Sequence, residues 1–422
     1  MTQPSRAKAV LFCALLLAST SGVAMAASAP KPDTKVLAAA KDAYPGQLKL
    51  LEQIVNIDSG SGNVEGGAKI QAILAERLKA IGATVEVTRA ETPEYAPNLV
   101  ATLTGKGKGR ILLIGHIDTV FEVGEAGKRP FRIEGTVAHG PGVMDEKGGV
   151  VTGVTALELI QKLKFTDFAK ITLLLETSEE KGSKGTRKLI DKLVHEHDLE
   201  LNLEPEATDT VTVWRKSSGD LKITVHGRPA HAGMEPQAGR NAAMELIHQI
   251  NLMNQAFPRS GDHITLNLTL LKAGSRSNII PDYAEATLNA RGRTLEEMAS
   301  IGATARANAK TTEIPGTTVE VDYDPSFPPL VQNERVTAVA QTAAKFQAEL
   351  GRKLELGGNG GASESALADA AGISALDGVG STGAGAHTPD ETIDLESVTP
   401  RLYVLTRLIQ TYGAKPPVNG SK

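Results

Sequence analysis

The stretch "RILLIGHIDTV", residues 110–120, decides how this chain folds. It begins with a continuous apolar run, Ile111 to Ile114, rather than an alternating one. That is the signature of a strand buried on both faces, as in a parallel sheet covered by helices. The run ends in His116 and Asp118. Residues two apart in an extended segment face the same side. Asp118 can therefore accept a hydrogen bond from one ring nitrogen of His116 and leave the other for a metal, a known way to orient a ligand.

The flanking sequence repeats the pattern. "LAAAKDAYPGQLKLLEQIVNI" (37–57) has helical spacing, interrupted at Pro45, and "GAKIQAILAERLKAIGA" (67–83) is a second helix. "TVEVTR" and "NLVATLTG" read as strands. After residue 120 come the helix "GGVVTGVTALELIQKL", the buried strand "ITLLLE", the helix "KGTRKLIDKLVHE" and the strand "LELNLEP". Strands alternating with helices predict an α/β fold with a mostly parallel sheet. Past about Lys216 the strands alternate in polarity ("DLKITVHGR", "HITLNLTLLKAG", "YAEATLNARGR") and are interleaved with two helices. This predicts an α+β insertion over 217–326, inside a domain built from 27–216 and 327–422.

Residues 1–26 read as a secretory signal peptide. Arg6 and Lys8 precede an apolar stretch, and Ala24-Met25-Ala26 supplies a small-x-small cleavage pattern. The expected location is therefore periplasmic or secreted, with no membrane anchor after cleavage. The sole cysteine, Cys13, lies in this segment. A mature chain without it has no disulfide and no thiolate ligand. Removing residues 1–26 takes away two cations and no acid, moving the formal charge from −4 to −6. No basic run favours nucleic acid or an anionic membrane as partner.

Ligand-capable residues recur at strand ends and in glycine-bounded turns. "GPGVMDEKGG" (140–149) offers Asp145, "TSEEKGS" (177–183) offers Glu179 and Glu180, "LNLEPEA" (201–207) offers Glu204, and "GAGAHTPDE" (383–391) offers His387. Sites in such sheets form outside the carboxyl ends of the strands. Two adjacent glutamates just past a buried strand need a compensating cation or proton. Taken singly, Asp145 also reads as a helix cap and the glutamates as first-turn charges. Together, carboxylates and histidines without thiols suit zinc, with manganese or cobalt as further candidates.

These motifs, with "PAHAG" (229–233) and "SNIIP" (277–281), resemble the co-catalytic dizinc exopeptidases, a family of glutamate carboxypeptidases, acetylornithine deacetylases, desuccinylases and aminoacylases. The resemblance spans essentially the whole chain after residue 26 and is nearest to the secreted bacterial glutamate carboxypeptidases. It implies two zinc ions per subunit. His116 and Glu204 would bind one, Glu180 and His387 the other, and Asp145 would bridge them. Asp118 would support His116, and Glu179 would be the general base. It also implies that the insertion is a lid and dimerisation domain. His231 would reach across a homodimer to the oxyanion, Asn278 and Arg293 would contact the substrate carboxylate, and Gly360 and Gly361 would line the substrate site.

The sequence departs from that family at Arg291, where an acidic residue is usual, and at Asp324, near where a basic residue is expected. Glu364 replaces the more usual aspartate. These positions bear on side-chain specificity rather than on the metal centre. The expected activity is release of a C-terminal amino acid, glutamate first, from small N-acyl amino acids or peptides. An N-acyl amino acid deacylase or dipeptidase is the sister reading. A non-catalytic periplasmic solute-binding protein is the distant one, which Glu179 beside a full ligand set disfavours.

Overall fold

The computed structural model describes residues 30–258 and 263–419; the signal-peptide assignment lies outside them. The α/β architecture is as expected. Six strands form the main sheet in the order Thr84–Thr88, Asn98–Thr104, Lys170–Glu176, Arg110–His116, Leu199–Asn202 and Ser374–Leu376. The last four run parallel, and the first two form an antiparallel margin. Ile111, Leu112, Leu113 and Ile114 are all fully buried, as a continuous apolar run requires when helices cover both faces. The last strand comes from beyond residue 370, so the sheet joins distant parts of the chain.

One face of this sheet packs on the helices Thr34–Val55, Lys147–Lys162 and Leu395–Ala414 in a single large apolar core. Pro45 does not end the first helix, which runs unbroken through it. Proline removes one backbone hydrogen bond. Burial of Val36, Ala39 and Ala40 before it, and of Leu50, Leu51 and Ile54 after it, outweighs that local loss.

A second sheet is wholly antiparallel, in the order Thr265–Ala273, Tyr283–Arg291, Ser218–His226 and Thr318–Phe327. Along Ser218–His226, buried and exposed positions alternate. Leu221, Ile223 and Val225 face a separate small core, completed by Leu246 and Met253 of helix Ala242–Ala256 and Ile301 of helix Leu295–Asn308. Among the described residues no helix covers the other face, which explains the polar alternation seen in the sequence. Among the described residues no helix is long and apolar enough to cross a membrane.

Candidate active site

The site lies where the parallel strands of the main sheet end. His116 is the last residue of strand Arg110–His116, and Glu204 follows strand Leu199–Asn202 by two residues. Glu179 and Glu180 open a single 3-10 turn just after strand Lys170–Glu176. Asp145 sits in the turn before helix Lys147–Lys162. It does not cap that helix, whose N-cap position is Glu146 and which lacks a side-chain cap. His387 arrives on a loop with φ +65°, a left-handed conformation uncommon for residues with a Cβ. Such a conformation persists when the surroundings over-determine it. Here two carboxylates hold the ring.

The expected ligand residues come together in two groups, His116–Asp145–Glu204 and Asp145–Glu180–His387, each with its ligand atoms within 4.8 Å of one another. Asp145 is common to both. Its Oδ1 lies 3.2 Å from Nε2 of His116, and its Oδ2 lies 3.1 Å from Nε2 of His387. Glu204 Oε1 is 3.5 Å from His116 Nε2, and Glu180 Oε2 is 3.2 Å from His387 Nε2. Glu179 lines the same cleft, of about 620 Å³, and belongs to neither group of ligand atoms.

The electrostatics call for cations. Burial, then the neighbouring carboxylates Glu364, Glu204 and Glu180, push Glu179 well above the carboxylate range. Burial and the nearby Asp145 raise Glu204 to about 7. Hydrogen bonds to Asp145 and Glu180 raise His387 to about 10. For His116 burial acts downward, yet Asp118, Asp145 and Glu204 lift it well above its ordinary value. In the absence of metal, protons hold this cluster together. Glu180 Oε1 is buried with no hydrogen-bond partner among the described residues. An orphaned carboxylate oxygen, on a side chain whose other oxygen meets His387 beside the shared Asp145, fits a pair of divalent cations.

Two further carboxylates shape the site by binding backbone. Asp118 is close to His116, but the 3.0 Å contact of Nδ1 is to the main-chain oxygen of Asp118, with the carboxylate at 3.5 Å. The carboxylate instead accepts from the N–H groups of Glu179 (3.2 Å) and Glu180 (3.3 Å) and from Ser61 Oγ at 2.6 Å. Asp118 thereby ties the two-glutamate turn to the histidine strand. Glu391 does the same for Asp145, accepting from the N–H groups of Gly142, Met144 and Asp145, each at 2.9 Å. Charge-assisted bonds of this kind hold a turn firmly. Sequence reasoning missed Glu391. Its only signal was an acid four residues after His387, and its partners lie about 250 positions away.

Of the residues expected at the substrate, Gly361 lines the cleft, and the carbonyl of its neighbour Gly360 accepts from Arg291 Nη1 at 3.3 Å. His231, Asn278 and Arg293 are not among the cleft-lining residues. His231 is exposed on the second sheet's side, its Nδ1 accepting from Gly233 and Met234 N–H, and it bridges to Ile279 beside Asn278. Arg293 stacks on Trp214, its Cζ 3.9 Å from the ring centroid. The strand ends at Arg291 and the chain turns at Gly292, so the cleft-facing side chain is Arg291 and not Arg293. Arg215, which sequence reasoning did not single out, is buried in the cleft wall with Nε and Nη2 on Asp377, each at 2.6 Å. Its Nη2 also reaches Glu204 at 3.4 Å.

A sheet of this topology carrying a histidine–carboxylate centre with one shared aspartate defines a metallopeptidase class. Residues 112–411 match the model of peptidase family M20/M25/M40. The chain is 32% identical to carboxypeptidase G2 of Pseudomonas sp. (strain RS-16), over 98% of this chain and 99% of that protein. It is 29% identical to succinyl-diaminopimelate desuccinylase of Methylorubrum extorquens (strain PA1), over 82% and 94%. A tripeptidase structure from Staphylococcus aureus superposes with a TM-score of 0.75 at 24% identity, covering 88% of this chain and 99% of that one. The chain therefore belongs to the M20/M25/M40 peptidase family and is a metallopeptidase homologue with a candidate dinuclear metal centre.

Proposed function

We propose that the protein hydrolyses the amide bond that precedes a free C-terminal amino acid, glutamate foremost, in N-acyl amino acids or small peptides. The observation that carries this reading is Glu179: a carboxylate in the same cleft as two groups of metal-ligating side chains and belonging to neither. The similarity to carboxypeptidase G2 supports release of a C-terminal residue. His116, Asp145 and Glu204 would hold one ion and Asp145, Glu180 and His387 the other, zinc being the best match to the donor set. Such ions supply Lewis acidity and make water acidic enough to attack at neutral pH. Glu179 takes the proton of the attacking water and returns it to the departing amine nitrogen. Asp118 keeps Glu179 in place through its backbone N–H. Arg215 fixes Glu204 from behind, and Asp377 compensates the arginine's charge.

The test is a panel of N-acylated amino acids: an aroyl-glutamate, N-acetylornithine, N-acetylmethionine and several dipeptides. Chelator-sensitive release dominated by glutamate is the expected result. Dominant release of another amino acid moves the protein to a sister activity. No release from protein with two metals bound removes catalysis from the proposal.

The division into a catalytic part (27–216 and 327–422) and a lid (217–326), with pairing of lids in a homodimer, belongs to the same proposal. Support comes from strand Thr265–Ala273, an outer strand of the second sheet with Leu270 66% and Leu271 58% exposed. An open strand with apolar side chains is a natural surface for a second copy. In a homodimer His231 would act in the partner's cleft, which accounts for its distance from the cleft of its own chain. Leu270→Arg is expected to shift sedimentation from dimer to monomer and to lower activity in step. A wild-type monomer that is fully active at nanomolar concentration defeats this part. Export through residues 1–26 completes the proposal, on the order of charge, apolar stretch and cleavage pattern.

A further inference from the structure

The cleft wall contains two arginines, Arg215 and Arg291, and they differ in what faces them. Arg215 is only 4% exposed and its guanidinium is matched by Asp377 on Nε and Nη2, with Glu204 also on Nη2 and Asn359 on Nη1. Arg291 has no carboxylate within 4 Å among the described residues. Its Nε donates to Asn289 Oδ1 at 3.0 Å and its Nη1 to the Gly360 carbonyl at 3.3 Å. Both acceptors are neutral. The nearest acid in this chain of contacts, Asp220, is one step removed and accepts from Asn289 Nδ2 at 3.3 Å. A guanidinium has five N–H donors. Nη2 and one N–H of Nη1 are thus left without an acceptor among the described residues.

We propose that Arg291 is the anchor for a carboxylate of the substrate, in a subsite formed between strand Tyr283–Arg291 of the second sheet and the Gly360–Gly361 loop. The inference rests on the reading of the cleft as an amino-acid-releasing site and names its specificity element. The neutral amide and carbonyl orient the guanidinium without cancelling its charge. A planar fork held this way suits a carboxylate, which can accept two of its N–H groups. Burial moves Arg291 downward from its ordinary value, while Glu179 and then Asp220, neither in salt-bridge contact with it, act in the opposite direction. A bound carboxylate would also reinforce the link between the second sheet and the loop that lines the cleft, because Arg291 ends a strand of that sheet and Gly360 follows strand Glu355–Asn359 of another.

The experiment is calorimetric titration of L-glutamate, L-glutamine and the α-amide of glutamate into metal-loaded wild type, Arg291→Gln and Arg291→Ala. Two substitutions are taken so that one folded variant, checked by thermal unfolding, suffices. The expected result is that wild type prefers glutamate over one of the amides. Losing Arg291 then weakens glutamate about ten- to a hundredfold, the range of a charged hydrogen-bonded contact, and erases the preference. The rejected amide identifies the carboxylate: glutamine points to the side chain, the α-amide to the α-carboxylate. No glutamate binding to wild type, no preference, or a preference that survives in a folded variant overturns the inference. Hydrolysis of the substrate panel is followed on the same preparations. If nothing is cleaved while Arg291-dependent glutamate binding persists, the hydrolase reading fails and the subsite stands.

Discussion

Glu179→Ala lowers kcat by about two to four orders of magnitude, the usual contribution of a positioned acid–base group, and leaves the metal content unchanged. The separation follows from geometry. Glu179 belongs to neither group of metal-ligating atoms, while its neighbour Glu180 sits 3.2 Å from His387. Its backbone N–H, the point that Asp118 holds, survives the substitution. The turn therefore keeps its shape, and only the proton carrier is lost. Metal analysis and single-turnover kinetics on the purified variant check both halves. Turnover near the wild-type rate would remove Glu179 from its role, and parallel loss of metal would make it a ligand.

Asp145→Ala is expected to empty the centre, with bound metal falling below one ion per chain and activity lost with it. Asp145 is the one side chain common to both groups, with one oxygen toward each histidine. Its removal also takes one carboxylate contact from each ring, leaving His116 to Glu204 and Asp118 and, among the described residues, His387 to Glu180 alone. The wild type adds a pH signature. Metal-free Glu204 titrates near 7, raised by burial and by Asp145, and His387 near 10, raised by Asp145 and Glu180. Near neutral pH the metal-free site thus holds protons that ligands must give up. Metal loading should release protons, and affinity should rise from pH 6 to pH 8. Titration in buffers of different ionisation enthalpy measures this directly. Loading without proton release contradicts the proposed ligand set, as does retention of two ions by Asp145→Ala.

Much of the molecule was readable along the chain. Ile111 to Ile114 and Ile171 to Leu175 announced buried strands because a strand covered twice has no polar face to display. Ser218–His226 announced a half-exposed sheet by alternating. The ligand-capable residues stood out for a related reason: ionisable groups at the ends of such strands stop where the sheet stops. Pro45 misled because a local rule about one hydrogen bond was set against burial on both sides of it.

What the chain order settled by itself was the alternation of elements and the inventory of carboxylates and histidines, since these depend on periodicity and composition. Tertiary structure alone decided how they meet. It put Asp145 between two histidines 271 positions apart in the numbering. It turned Asp118 and Glu391 into clamps on the backbone of the ligand-bearing turns. It also gave the cleft to Arg291 and sent Arg293 to Trp214, because a strand ends and a glycine turns the chain between them. Such contacts depend on distances across the fold, and no local pattern of residue types encodes a distance between segments hundreds of positions apart.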